Sequence, residues 1–319
     1  MRGSFMTAND AARPEPTISF GLPVYNGGLY LRRALDDILA QTYADFELII
    51  SDNASTDATA QIIREYARRD PRIRRYRQKI NIGVGNNWTF VAEQARGKFF
   101  KWVSANDEYE PALAADCLAV MESDPTVVLC YGRTQFIDLA GVRLGMYPED
   151  FSADSGSPLE RYRRVRKHLN LCTPLQAGVI RRDALRRCRY LGNYRDSDRV
   201  LIAGLALEGR IVLLPQVHFY RRWGEAVATP LRTALEVEQM YRPEARRTPM
   251  PLFANLPRHL GQLGIALRTP RGWREKVHSL IAALHSTDWR RKLRGDVPGT
   301  IAPRPPSLPS RTARLDSSR

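Results

Sequence analysis

Cysteine is scarce in this 319-residue chain: Cys117, Cys130, Cys172 and Cys188 are widely spread and form no C-x-x-C pair. That excludes a zinc ribbon and a disulfide framework, and predicts reduced core thiols such as a cytoplasmic protein carries. Long apolar runs are also missing. Nothing approaches the roughly 18 to 20 residues of a membrane span, and the polar N-terminus lacks a signal-peptide core, so neither spanning nor secretion is expected. Solenoid-length repeats are absent. Acidic residues are in deficit, 34 against 49 Lys and Arg, for a net charge of +15. From Thr229 onward, 17 basic residues face 7 acidic ones, so this stretch holds +10 of that charge. A basic tail attracts phosphates of any kind, which leaves anionic lipid, nucleotide diphosphate and nucleic acid undistinguished.

What is present is ordered. At 43% hydrophobic, the chain can bury a large core. Three apolar strand-like runs each end in a polar cluster. Thr17 to Leu22 leads into Pro23-Val24-Tyr25-Asn26-Gly27-Gly28, and Phe46 to Ile50 into Ser51-Asp52-Asn53-Ala54-Ser55-Thr56-Asp57. Phe99 to Val103 leads into Ser104-Ala105-Asn106-Asp107-Glu108. Ligands of open α/β sheets lie beyond the carboxyl ends of the strands, so the three clusters are expected to converge on one crevice.

Between them the hydrophobic period switches to that of helices, over Leu29 to Gln41, Ala58 to Arg68, Trp88 to Ala95 and Ala112 to Glu122. Short strands are expected at Ile73 to Tyr76 and Val127 to Tyr131. This alternation predicts an α/β fold with a parallel-dominated central sheet flanked by helices. Further on, Leu159 to Leu171 reads as a basic helix, Ala177 to Ile180 as a strand, and Arg182 to Cys188 and Arg199 to Leu207 as helices. Ile211 to Leu214 and Val217 to Tyr220 read as two strands split by Pro215. The predicted organisation is a flexible leader (1–16), a main domain (17–228), a helical basic C-terminal extension (229–298) and a disordered Pro/Ser/Arg-rich tail (299–319). In the extension, Trp273, Val277, Leu280, Ile281 and Leu284 form an apolar stripe ahead of Trp289-Arg290-Arg291-Lys292. That pattern suits docking on the main domain or lying on an anionic membrane.

The clusters hold the residue types a nucleotide site needs. Asp52 can accept from a base imide or ribose hydroxyl, Pro23 and Tyr25 can wall a base, and Asp107 with Glu108 can hold Mg²⁺ or Mn²⁺ against a diphosphate. Taken singly, the Asp52–Asp57 string is also an ordinary helix-capping turn. Gly83-Val84-Gly85 imitates a dinucleotide fingerprint, but Trp88 occupies the third glycine's place, which excludes that site.

As an ordered set, these pieces resemble family 2 glycosyltransferases of the GT-A fold. The set comprises Pro23 to Asn26, Leu39-Ala40-Gln41-Thr42, Phe46 to Asp57, Asn81-Ile82-Gly83 with Asn87, Ala95-Arg96-Gly97-Lys98, and Ser104 to Asp107. The resemblance runs from about Thr17 to Arg222. It implies inverting transfer of a sugar from a nucleotide-diphosphate donor to an acceptor hydroxyl, with a divalent metal, in surface polysaccharide, glycolipid or small-molecule glycosylation. Carried over, Pro23, Tyr25, Asn26, Asp52, Asn53 and Asn106 would bind the nucleotide, with Asp57 shaping its loop, and Asp107 would hold the metal. Where the family has three acids, this chain keeps only the last; Ser104 and Asn106 bring no charge, which weakens the case for Mn²⁺ or Mg²⁺. Asp198 stands where the family has its general base, with Asp196 in reserve and helix capping as the plain alternative. Arg221 and Arg222 are candidates for the diphosphate, Gln176 borders the acceptor segment, and His218 reads as structural. The basic extension implies peripheral contact with anionic membrane; no specific nucleic acid is implied. The competing function is a catalytically weak nucleotide-sugar binding or scaffold protein with an eroded metal motif.

Overall fold

A computed structural model describes residues 14–148, 151–168, 177–224, 234–246, 260–261 and 264 of the chain. Strands and helices alternate as the apolar periods require. The first half runs β1 (Ile18–Val24), α1 (Leu31–Leu39), β2 (Phe46–Asp52), α2 (Thr59–Arg69), β3 (Ile73–Arg77), α3 (Val84–Glu93), β4 (Phe99–Trp102), β5 (Glu108–Tyr109) and α4 (Leu113–Ser123). The second runs β6 (Val127–Ile137), β7 (Arg143–Met146), α5 (Pro158–Lys167), β8 (Gly178–Arg181), α6 (Arg182–Arg187), α7 (Ser197–Glu208), β9 (Arg210–Arg222) and α8 (Ala234–Tyr241).

The strands form one mixed sheet ordered β3-β2-β1-β4-β8-β6-β9-β5, with β7 beside β6. β3, β2, β1 and β4 are parallel neighbours. β8 is antiparallel to both β4 and β6, so β6 runs the same way as β4, and β9 is parallel to β6. Six strands therefore share one direction, and only β5, β7 and β8 run against it. Buried residues fill all of β1, β2 and β4, as expected where helices cover both faces of a parallel sheet.

Several boundaries differ from expectation for local reasons. The two strands expected around Pro215 are one strand: pairing passes from Gly132↔Leu214 to Arg133↔Val217, and Pro215-Gln216 form the bulge that accommodates a residue without an N–H. α3 starts four residues before Trp88, because Gly83, at φ 84° and ψ 157°, turns the chain in a conformation open to glycine. α5 starts with a capping box, Ser157 accepting from the Glu160 N–H while the Glu160 carboxylate accepts from the Ser157 N–H. Cys117, Cys130 and Cys188 are buried. Among the described residues, no helix is long and apolar enough to cross a membrane. The stripe from Trp273 to Leu284, the 299–319 tail, Cys172 and most of the 229–298 extension lie outside the described residues.

Candidate active site

Because six strands point one way, the segments after β1, β2, β4, β6 and β9 all emerge at one edge of the sheet. The first two are laced together. Asn26 donates its backbone N–H to Ser55 Oγ (2.9 Å) and accepts from the Thr56 N–H through Oδ1 (2.9 Å). Gly27 N–H reaches Thr59 Oγ1 (2.9 Å) and Gly28 N–H reaches Asp57 Oδ2 (3.0 Å). The short polar side chains of the Ser55–Thr59 turn thus do more than cap α2: they fix the loop that presents Tyr25. Pro23 is buried in β1, while Tyr25 is 50% exposed, a flat ring standing free at the strand end.

Asp52 is 2% exposed. Its Oδ1 accepts from the Ser55 N–H (2.8 Å), and its Oδ2 pairs with Arg77, a partner the sequence reading missed. Both oxygens keep a lone pair for a ligand. Asn53 ties this loop to the next turn, donating to Asn81 Oδ1 (2.8 Å) and accepting from the Ile82 N–H (2.9 Å). Ala54, at φ 62°, is strained between them, as residues at functional turns often are.

The turn at Asn81 leads into α3, and there the acid-bearing loop before α7 arrives. A Cβ on Gly85 would stand 2.7 Å from Asn193 Cα, and Thr89 Oγ1 donates to Leu191 O (2.7 Å). Asp196 precedes α7 in a left-handed conformation (φ 65°) and makes no capping bond, so helix capping does not account for it. It pairs instead with Arg199 Nε (3.4 Å). Asp198 is partly buried in the first turn of α7 and accepts from the Arg199 N–H (2.9 Å). Burial, and then the neighbouring Asp196 charge, push the Asp198 carboxyl above the usual carboxylate range.

Asp107 lies across the edge from these. Its loop is pinned to β1, with Val103 N–H on Gly21 O (2.8 Å) and Ala105 against Gly27. Burial raises Asp107, opposed by the Arg222 N–H on its Oδ1 (2.9 Å) and by the charge of Arg221. Beneath it, fully buried on β4, lies Lys101, 4.8 Å from the Tyr109 ring centroid. Desolvation pushes its ammonium down to about 7. The visible signal was a lysine inside the apolar run Phe99-Phe100-Lys101-Trp102-Val103, and the sequence reading passed over it.

Arg222 requires a correction. Expected to contact a diphosphate, it is buried and its guanidinium is spent on the protein. Nε donates to Asn106 O (2.8 Å), Nη1 to Asp138 O (2.8 Å) and Leu139 O (3.1 Å), and Nη2 to Glu108 (2.5 Å). The group also stacks 4.3 Å from the Tyr30 ring centroid. It braces the loops after β4 and β6, leaving Arg221 as the half-buried cation beside Asp107. Glu108 is likewise engaged, by Arg222 and by Arg33 (3.4 Å).

These donors bear on the expected metal. Asp107 is engaged by the Arg222 N–H and by the Ser104 side chain, Asn106 and Ser104 are neutral, and Glu108 is committed to arginines. Among the described residues no three His, Cys, Asp or Glu side chains cluster as a metal site. Such a donor set fits a hard divalent cation shared with phosphates, which needs only one or two carboxylates, and does not fit a cage made by protein alone.

The structure thus brings Pro23, Tyr25, Asn26, Asp52, Asn53, Asn106, Asp107, Asp196, Asp198, Arg221 and Arg222 to one edge. His218 stands apart from the acids of that edge: buried on β9, it is bonded through Nε2 to Asp116 of α4 (2.8 Å), a structural pairing. Gln176 lies outside the described residues.

A family model described as glycosyl transferase family 2 matches residues 19–188, just over half of the chain. An uncharacterized glycosyltransferase of Rickettsia prowazekii is 38% identical over 125 residues, covering 39% of this chain and 38% of that protein. A chondroitin synthase of Escherichia coli is 32% identical over 126 residues, covering 40% of this chain and 18% of that protein. The matches thus span well under half of these relatives. Among solved structures, S. aureus TarS 1-349 in complex with UDP-GlcNAc shares the fold with a TM-score of 0.61 at 18% identity, over 84% of this chain and 71% of that one. A mannosyltransferase of Pyrobaculum calidifontis, PcManGT, in complex with GDP-Man and Mn²⁺, gives a TM-score of 0.50 at 18% identity, over 88% of this chain and 79% of that one.

Proposed function

Since this chain belongs to glycosyl transferase family 2, we propose that the crevice at its carboxyl edge transfers a sugar from a nucleotide-diphosphate donor to an acceptor hydroxyl, with inversion at the anomeric carbon. The convergence of the Asp52, Asp107 and Asp198 loops on one sheet edge carries this reading. The exposed ring of Tyr25 takes the base, and the lone pairs of Asp52, held in place by Ser55 and Arg77, accept from base or ribose. Asn26 and Asn53 build that loop, and Asn106 stands beside the phosphates. A divalent cation held by Asp107 and the donor phosphates would neutralise the departing diphosphate. Arg221 adds fixed positive charge at the same place.

In the transfer the acceptor oxygen attacks the anomeric carbon as its proton passes to Asp198. The bond from that carbon to the diphosphate oxygen breaks, and its electron pair leaves with the nucleoside diphosphate. A carboxylate of raised proton affinity is suited to this, because a general base works best with a pKa brought towards the working pH. The chain spans well under half of the curated relatives named above, so the pathway we favour, assembly of a surface polysaccharide, glycolipid or glycosylated small molecule, rests on the family alone.

The test is donor turnover and binding across UDP-, GDP- and dTDP-sugars with Mn²⁺, Mg²⁺ or EDTA, in the parent, Asp52→Ala, Asp107→Ala and Asp198→Asn. Turnover of one donor class is expected, with nucleotide affinity lost in Asp52→Ala and turnover lost at retained affinity in Asp198→Asn. Tight donor binding with no turnover in any condition would replace this reading with that of a nucleotide-sugar binding protein.

A further inference from the structure

Six large apolar side chains are exposed among the described residues, and they are not scattered. Tyr25 is assigned to the base. Leu29 follows β1, Ile80 follows β3, and Leu139 and Val142 lie in the turn between β6 and β7, so all four stand at the carboxyl edge, 38% to 77% exposed. The sixth, Leu260, adjoins Gly261, which packs on Tyr194 ahead of α7. The amino edge has a different face, a groove lined chiefly by the charged side chains of Glu15, Lys98, Glu122, Arg181, Arg182 and Asp183. Single exposed apolar side chains are ordinary, whereas their gathering on one edge marks a contact surface.

The fold holds these tips out. Asp138 shapes the turn after β6, its Oδ1 accepting from the Ala140 N–H (2.9 Å) and the Val142 N–H (2.8 Å), with Gly141 at φ 87°. The hydroxyl of Tyr30, next to Leu29, donates to Leu139 O (3.3 Å) and so joins the loop after β1 to this turn. Ile80 lies between Gln78, whose N–H donates to Asp52 O (2.8 Å), and Asn81, which accepts from Asn53 (2.8 Å). The tips therefore flank the crevice, Ile80 beside the nucleotide loop and the turn after β6 beside the Arg222 brace. Each has an exposed cation close in sequence: Lys79 before Ile80, Arg143 after Val142, and Arg33 one helical turn from Leu29. Arg33 reaches Asp37 (3.1 Å) and Arg143 reaches Glu110 (3.6 Å), yet both side chains stay mostly exposed. Asp57, the carboxylate beside Gly28, is occupied by the Gly28 and Thr59 N–H groups (3.0 Å each).

We propose that this edge docks on an anionic lipid bilayer, with Leu29, Ile80 and Val142 entering below the headgroups and Arg33, Lys79 and Arg143 level with the phosphates. Docked in this way, the crevice opens against the membrane surface. The contact is separate from the one expected of the basic extension, and it does not rest on the transfer reading. A bilayer interface accepts apolar tips and the cations beside them at two depths, which is the pairing each loop offers. A protein partner would need a continuous apolar floor for its own core. The exposed polar residues Asn26 and Thr56, on the loops after β1 and β2, interrupt any such floor between Ile80 and the turn after β6.

The experiment measures partition of the full chain onto sedimented vesicles, of phosphatidylcholine alone or mixed equally with phosphatidylglycerol, and follows oligomeric state by light scattering without lipid. The parent should bind the mixed vesicles at least about tenfold more tightly than phosphatidylcholine alone. Leu29→Ser, Ile80→Ser and Val142→Ser combined leave every charge in place and should weaken that binding at least about tenfold at an unchanged urea midpoint. Val142→Trp alone should tighten it, because an indole prefers the interface. Lys79→Gln with Arg143→Gln should lose about fivefold per charge on the mixed vesicles. A parent that binds neither vesicle would overturn the proposal. So would binding indifferent to both the serine and the tryptophan changes, which would give the membrane contact to the basic extension. A parent dimer that the serine variant separates into monomers would also overturn it and make this edge an interface between copies.

Discussion

Arg222→Ala tests the claim that a buried guanidinium, not a metal, holds the acidic loop together. The substitution removes four hydrogen bonds, three to carbonyl oxygens of Asn106, Asp138 and Leu139 and one to Glu108. Hydrogen bonds from a charged donor contribute about 1.5–3 kcal/mol each, but they share one side chain and do not add. Breaking a buried ion pair from one side costs about 3–5 kcal/mol. Glu108 keeps Arg33 at 3.4 Å, which places the expected loss at the lower end, about 3–4 kcal/mol. For a domain of this size that lowers Tm by about 6–16 °C. The backbone N–H to Asp107 survives the substitution, so the loss is assigned to the guanidinium alone. Arg222→Lys should lose more than half as much, because a point charge cannot reach four divergent acceptors. Urea unfolding of the three proteins decides the matter; an alanine variant within about 1 kcal/mol of the parent refutes the brace.

Other outcomes follow from the same geometry. Gly83→Ala places a side chain against the Tyr241 carbonyl at a backbone conformation that itself costs about 1–3 kcal/mol, so urea stability should fall while Asn193→Ala loses less. Lys101, with a folded pKa of about 7 below its ordinary 10.5, is less protonated in the folded than in the unfolded chain between those values. Parent stability should therefore rise from pH 7 to 10, and Lys101→Met should flatten that rise and be the more stable protein at pH 6. Asp37, raised to about 6 chiefly by burial, works in the opposite direction: its contribution, full below pH 4, is lost as pH rises through 6, and Asp37→Asn should abolish that slope in chemical unfolding.

Apolar runs and the polar clusters at their ends made the sheet legible, because burial on two faces leaves a continuous hydrophobic signature and strand ends carry the ligand-facing groups. Direction was harder. β8 runs against β4 and β6, yet its four residues read like any other strand, and only pairing reveals the reversal. Pro215 was read as a boundary because proline breaks a ladder bond; the bulge shows that a strand can absorb one when two residues leave the register. At the site, residue types were visible and their commitments were not. Arg222 and Arg221 are neighbours of the same type, and alternation along β9 sends one into the loops and leaves the other beside Asp107. Arg77 joins the site through space, from a position no local spacing marks.

The outer strands of the sheet decide how the molecule meets its own copies. At one border, β3 pairs only with β2 among the described residues and carries Arg74, Arg75 and Arg77 in five positions; Arg75 is exposed. At the other, β5 is two residues long, and its Tyr109 N–H is already taken by Asp37 Oδ2 (3.0 Å). Among the described residues, a charged hem at β3 and a two-residue stub sealed by a carboxylate at β5 make both of these borders poor templates for an added strand. The basic residues of β3 thus have two placements: Arg77 holds Asp52, and Arg75 puts its charge on the open border.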